Sequence, residues 1–219
     1  FVWIYISGDA LQAKVDPSFM DRYRDAIGRS HNRIVTEPAC TPYHIPPQWF
    51  PSSLPNPYED ATTFTAVRNP YSRAIADYKW SCWANHASLR EVLQLEQSSV
   101  SSNSESVQAC QNDVAQMNTW LREVIPVGSS RYSATKFNTD CHFLPQAVYT
   151  VGVDHVLCSV RELSSFLLER GVEVDVLKDV QPEVYDQEDH NTMLDRDVIA
   201  IINKYYAADF RLCKQFAMI

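Results

Sequence analysis

The run Thr62-Thr63-Phe64-Thr65-Ala66-Val67 ends abruptly in Arg68-Asn69-Pro70. It constrains the fold more than any other feature of the chain. Its β-branched and aromatic content predicts a buried strand over Thr62 to Val67. Pro70 then suits the first turn of a helix, predicted from Tyr71 to about Trp83. A strand feeding directly into a helix is the building unit of an α/β protein. An Arg at the carboxyl end of such a strand lies where open α/β sheets bind ligands. Its planar fork matches a phosphate bidentately, and a helix start adds backbone donors. Phe1 to Ile6 is a second unbroken apolar run, predicted to be a parallel neighbour of Thr62 to Val67 in one central sheet.

The rest of the chain continues the alternation. Asp16-Pro17 predicts a helix start, with Phe19, Tyr23 and Ile27 along it and Gly28 as its stop. Residues 36–60 are rich in proline and aromatics and predict an ordered, irregular loop. Ser88 with Glu91 forms a capping-box pattern for a helix to about Gln97. Ser98 to Ser104 is polar and of low complexity, which predicts a mobile loop over about 98–106. One long helix is expected from about Ser106 to Val124. A short strand at His155–Cys158 and a helix from Glu162 to Arg170, closed by Gly171, follow. The last helix is expected from Asp195 to about Ala208, with Val198, Ile199, Ile202, Tyr205 and Tyr206 as its apolar face. The expectation is a single domain over residues 1–219: three layers around a mainly parallel sheet.

Composition narrows the function classes. Hydrophobic residues make up 45% and charged residues 21%, as in globular domains. No run reaches the length of apolar sequence a membrane helix needs, so no transmembrane segment is expected. A net charge of −8 argues against nucleic acid as a partner. The chain opens on Phe1 rather than Met, leaving room for a removed upstream segment. The six cysteines suit disulfides in an oxidising lumen and suit free buried thiols equally well. None forms a CxxC pair or a His/Cys cluster of zinc spacing, so no metal is expected.

Several motifs together resemble the sulfotransferase family of the Golgi carbohydrate type. Val67-Arg68-Asn69-Pro70-Tyr71-Ser72-Arg73 is similar to the family signature that follows a strand and enters a helix. His44-Ile45-Pro46-Pro47 with Asn56-Pro57-Tyr58 resembles the segment before it. Cys141-His142-Phe143-Leu144-Pro145-Gln146 is similar to the family's His-(Trp/Phe)-x-Pro-Gln motif. Val153 to Leu157 resembles the strand that comes next, and Tyr205-Tyr206-Ala207-Ala208-Asp209-Phe210 the closing helix. The matches run in family order across most of the chain. The resemblance implies a P-loop-like sulfotransferase fold. It also implies a site for the 3′-phosphate of 3′-phosphoadenosine 5′-phosphosulfate at Arg68, Ser72 and Arg73. The signature Ser falls on Ala76, which cannot donate.

The donor loop departs from the pattern. Where the family has a Lys that stabilises the leaving phosphate, the ungapped alignment puts Gly8, within Ser7-Gly8-Asp9. Asp9 sets a negative charge where a phosphosulfate would sit, which costs several kcal/mol in a confined site. Leu11 crowds a position needing a small residue. None of the five glycines falls in a Gly-x-x-x-x-Gly-Lys-Ser/Thr pattern that would replace the loop.

Sulfuryl transfer needs a base for the acceptor hydroxyl. His44 and His142 are the candidates by position; each also reads as a structural histidine in a proline-rich loop. With the loop degraded, the expectation is a sulfotransferase-like pseudoenzyme serving as an accessory subunit of other proteins, with no cofactor. The alternative is an active enzyme that uses the phosphosulfate donor on a sugar hydroxyl. A third reading is a regulatory module that keeps an anion or nucleotide pocket. Family resemblance implies the Golgi lumen for the enzyme; an organellar or membrane-associated assembly is the alternative. The expected protein interface is 36–60, where seven prolines stiffen a loop bearing Tyr43, Trp49, Phe50 and Tyr58.

Overall fold

The computed structural model describes residues 62–83, 89, 92–93, 104–129, 142–170, 192–216 and 218. The expectations for Phe1–Ile6, Ser7, Gly8, Asp9, the Asp16-Pro17 helix and residues 36–60 with His44 lie outside the described residues. So do Ser98–Asn103 and the Gly171 stop. Of the helix expected over Ser88–Gln97, Leu89, Val92 and Leu93 are described, and they are helical. The chain groups into two compact units, which exchange at Arg68/Asn69 and at Pro145/Gln146.

The first unit holds the sheet. Strand β1 (Phe64–Ala66) pairs in parallel with β2 (His155–Leu157), Phe64 opposite His155 and Ala66 opposite Leu157. Asp154 sets this register. Its carboxylate accepts from the Thr63 backbone N–H at 2.7 Å and from the Thr63 hydroxyl at 3.0 Å. The Asp154 and His155 amides return bonds to the Thr63 carbonyl. These bonds to Thr63, its backbone N–H first, hold the Asp154 carboxyl below the usual carboxylate range. The ladder ends with the Val67 N–H donating to the Leu157 carbonyl at 2.8 Å. Before β2, a 3-10 turn (Gln146–Thr150) leads to Gly152, whose φ of 77° favours glycine. A helix, Val160–Leu168, follows β2; Ser159 caps it by accepting from the Glu162 N–H. Phe166 from this helix meets Phe64 at 4.8 Å and His155 at 4.9 Å between ring centroids.

The second unit is helical. Its helices are α1 (Pro70–Trp83), α2 (Ser104–Asn112) and α3 (Val114–Gly128), with a further one at Arg196–Tyr205. The single helix expected from Ser106 to Val124 is two. Asp113 adopts an extended ψ of 93° and its carboxylate accepts from the Gln116 N–H, so it begins α3 rather than continuing α2. Asp is a strong N-cap and a weak helix-interior residue, and here the cap prevails. The last helix ends at Tyr205, short of Ala208, and a 3-10 turn at Asp209–Arg211 follows.

Helical spacing builds the core of this unit. Tyr71, Ile75, Tyr78 and Cys82 lie on one face of α1 and are fully buried. They meet Trp120, Leu121, Val124 and Ile125 of α3, and Val198 and Ile202 of the last helix. Trp120 is central, 5.7 Å from the Tyr78 ring and 5.3 Å from Phe143. A Cβ on Gly128 would come within 2.8 Å of Phe143 Cβ, so the end of α3 needs glycine for this approach. Asn118 is buried and donates to the Met193 carbonyl while accepting from the Asp195 N–H, both at 2.8 Å, fixing the entry to the last helix. Cys82 of α1 and Cys110 of α2 form a disulfide; Cys213 here, and Cys158 in the first unit, are each disulfide-bonded as well. No free cysteine occurs among the described residues.

Candidate functional site

In the first unit a side chain holds the strand end at Arg68. The Gln146 amide is buried. Its Oε1 accepts from the Arg68 backbone N–H and its Nε2 donates to the Arg68 carbonyl, both at 2.8 Å. One amide thus reproduces the two bonds a neighbouring strand would supply. Arg68 is half-buried. Gln146 belongs to the Pro-Gln motif, but only its partner reveals what it does.

In the second unit Asn69 opens α1: its side chain accepts from the Tyr71 N–H and its carbonyl from the Arg73 N–H, both at 2.9 Å. Pro70, at the first helical position, has no N–H needing a partner. Ser72 and Arg73 both point into the protein, with 4% and 1% exposure. Arg73 lies between two carboxylates, 3.6 Å from Asp77 and 3.6 Å from Asp209. Its guanidinium also donates to the His142 carbonyl and lies over the Tyr206 ring. Tyr206 donates its hydroxyl to the Phe143 carbonyl at 3.0 Å. Burial pushes that hydroxyl's pKa up, outweighing the nearby cation, so it stays protonated.

His142 lies against the same network. Its Nδ1 is 3.9 Å from Asp77 Oδ1, and its ring stacks on Trp80 with centroids 4.8 Å apart. Burial pushes the Asp77 carboxyl up, but His142 and the Arg73 guanidinium outweigh it and leave it below the usual carboxylate range. The imidazole is therefore set between a carboxylate and an exposed indole. Such a pair can orient the ring.

Arg73, Ser72 and His142 thus come together in one unit, while Arg68 belongs to the other. Sequence reasoning missed Asp77, Trp80, Gln146 and Asp209 as members of these sites. Asp77 carried one signal, its i,i+4 spacing from Arg73. Among the described residues no His, Cys, Asp and Glu cluster could hold a metal ion, and no helix is long and apolar enough to cross a membrane. No protein-family model, curated protein or solved structure matches the chain.

Proposed function

We propose that this chain is a sulfotransferase-like domain that has lost sulfonate transfer and acts as an accessory, protein-binding subunit. The observation that carries the reading is the burial of Arg73 against Asp77 and Asp209. A cation reserved for a dianionic phosphate would not already be flanked by two internal carboxylates. The sequence supports the same reading through Gly8 in place of the donor-loop Lys, Asp9 beside it, and Ala76 in place of the signature Ser. The proposal includes the three-layer α/β fold and no bound cofactor. Trp80 and Trp83, both exposed on α1, add aromatic surface of the kind that anchors protein contacts.

The His142–Asp77 pair favours a second reading, an active enzyme. There the imidazole would accept the proton of a sugar hydroxyl. The Cys82–Cys110 disulfide suits an oxidising lumen under either reading.

Isothermal titration with 3′-phosphoadenosine 5′-phosphate, paired with a sulfonate-transfer assay, separates the two. Each lost charge-assisted contact weakens binding by about 1.5–3 kcal/mol. The accessory reading expects no transfer and an affinity weaker than micromolar. Micromolar binding with turnover would replace it with the enzyme.

A further inference from the structure

We infer that the Cys82–Cys110 disulfide is a thiol-sensitive clasp whose reduction releases helix α2 from α1 while leaving the core between α1 and α3 folded.

The inference starts from how little else of α2 is buried. None of its nine residues is fully buried; its inner side, Ser106, Val107, Cys110 and Gln111, is only half-covered. A helix of this length is not stable alone in water. Polar bonds assist the docking: Gln111 Nε2 donates to the Lys79 carbonyl at 3.0 Å, and the Tyr78 hydroxyl lies 2.8 Å from the Cys110 carbonyl. That hydroxyl also lies 2.8 Å from Gln116 Oε1, so its single proton has another acceptor, on α3, when α2 departs. By contrast α3 buries Met117, Trp120, Leu121, Val124 and Ile125, and its cap is the Asp113 carboxylate on the Gln116 N–H; the Asp113 N–H alone reaches back to α2, at the Cys110 carbonyl 3.1 Å away. The boundary between the part that opens and the part that stays therefore falls at Asp113.

The two sulfurs differ in access. Cys82 is fully buried in the core, whereas Cys110 is partly exposed. A dithiol reductant therefore attacks at Cys110 Sγ. The sulfur–sulfur bond breaks and Cys82 leaves as a thiolate that takes up a proton. The reductant's second thiol attacks the resulting mixed disulfide, closes its own ring and releases Cys110. Two electrons pass to the clasp, and the two protons of the dithiol end on Cys82 and Cys110. The Tyr78 hydroxyl, 3.8 Å from Cys110 Sγ, stands beside the second leaving thiolate. Burial pushes its pKa up, so it remains a proton-bearing group there.

The test is hydrogen exchange on the C82A/C110A double variant, which leaves the other disulfides intact. Expected is at least a tenfold gain in exchange over residues 104–112, with 114–128 within threefold of the parent. Unchanged protection of 104–112 overturns the inference, as does equal loss in both helices or a variant that fails to fold. As a second measurement, the parent protein is titrated with dithiothreitol, alkylated and mapped. Cys82 and Cys110 should label in the step in which 104–112 gains exchange; labelling of Cys158 or Cys213 before them also overturns it.

Discussion

Arg68 and Arg73 stand five positions apart in one motif, yet the two units treat them differently. In the helical unit the protein engages the Arg73 side chain, with carboxylates on two sides and an aromatic ring beneath it. In the strand unit Gln146 engages the Arg68 backbone. The difference teaches that a shared signature does not imply a shared task. A guanidinium with 1% exposure between acids is a fold element.

The largest effect should come from Asp209→Asn. Asp209 is fully buried beside Arg73, and removing one member of a buried ion pair costs about 3–5 kcal/mol. Urea unfolding should show this loss, and a change below about 1 kcal/mol would end the claim that Arg73 is a structural residue. Gln146→Ala sharpens the contrast from the other side. It removes the side-chain partner of a backbone N–H and a carbonyl at Arg68, at about 1–3 kcal/mol. Its gain in hydrogen exchange should fall on residues 64–67 and 155–157 and spare α3.

Acid should probe the Arg73 network more gently. Asp77 has a folded pKa below its unfolded value, so it contributes stability that is present above the unfolded pKa, near about 4. That stability is lost as pH falls through the folded pKa. Asp77→Asn should therefore be less stable than the parent at neutral pH and should approach it on acidification. Parallel stability curves for the two proteins between pH 6 and the acid limit, on the order of pH 2, would contradict this.

A smaller loss, about 1 kcal/mol, is expected for Asp113→Ala, because the cap on α3 is a single side-chain bond. Circular dichroism melts would register it as a modest drop in melting temperature. Arg122→Ala should matter least. Arg122 is bonded to both Asp195 and Asp197, but those partners are more than half exposed, and such pairs contribute about 0–1 kcal/mol. A loss above about 2 kcal/mol would show that this surface cluster holds the last helix as firmly as its buried face does.

Much of the local structure could be read from residue order. The apolar run before Arg68 forms β1, and Pro70 opens α1. Val198, Ile202 and Tyr206 form the buried line of the last helix, with Ile199 and Tyr205 half-covered beside it. These follow from period and from turn chemistry, which depend on neighbours a few positions away. The break at Asp113 was also local, but a polar helical pattern runs through it without interruption, and periodicity alone cannot tell a cap from an exposed helical position.

The partners were another matter, and tertiary structure alone decided them. Gln146 reaches Arg68 across 78 positions, and Asp209 reaches Arg73 from the far end of the chain. Nothing in the spacing of either pair announces the contact, because the path of the chain between them sets the distance. Whether a charged residue serves a ligand or the fold depends on which charges that path brings beside it. Sequence by itself marked Arg68, Arg73 and His142 as residues that carry chemistry. The packing of α1 against the last helix and the turn at His142 turned Arg73 inward, because a buried cation is tolerated only where carboxylates accompany it.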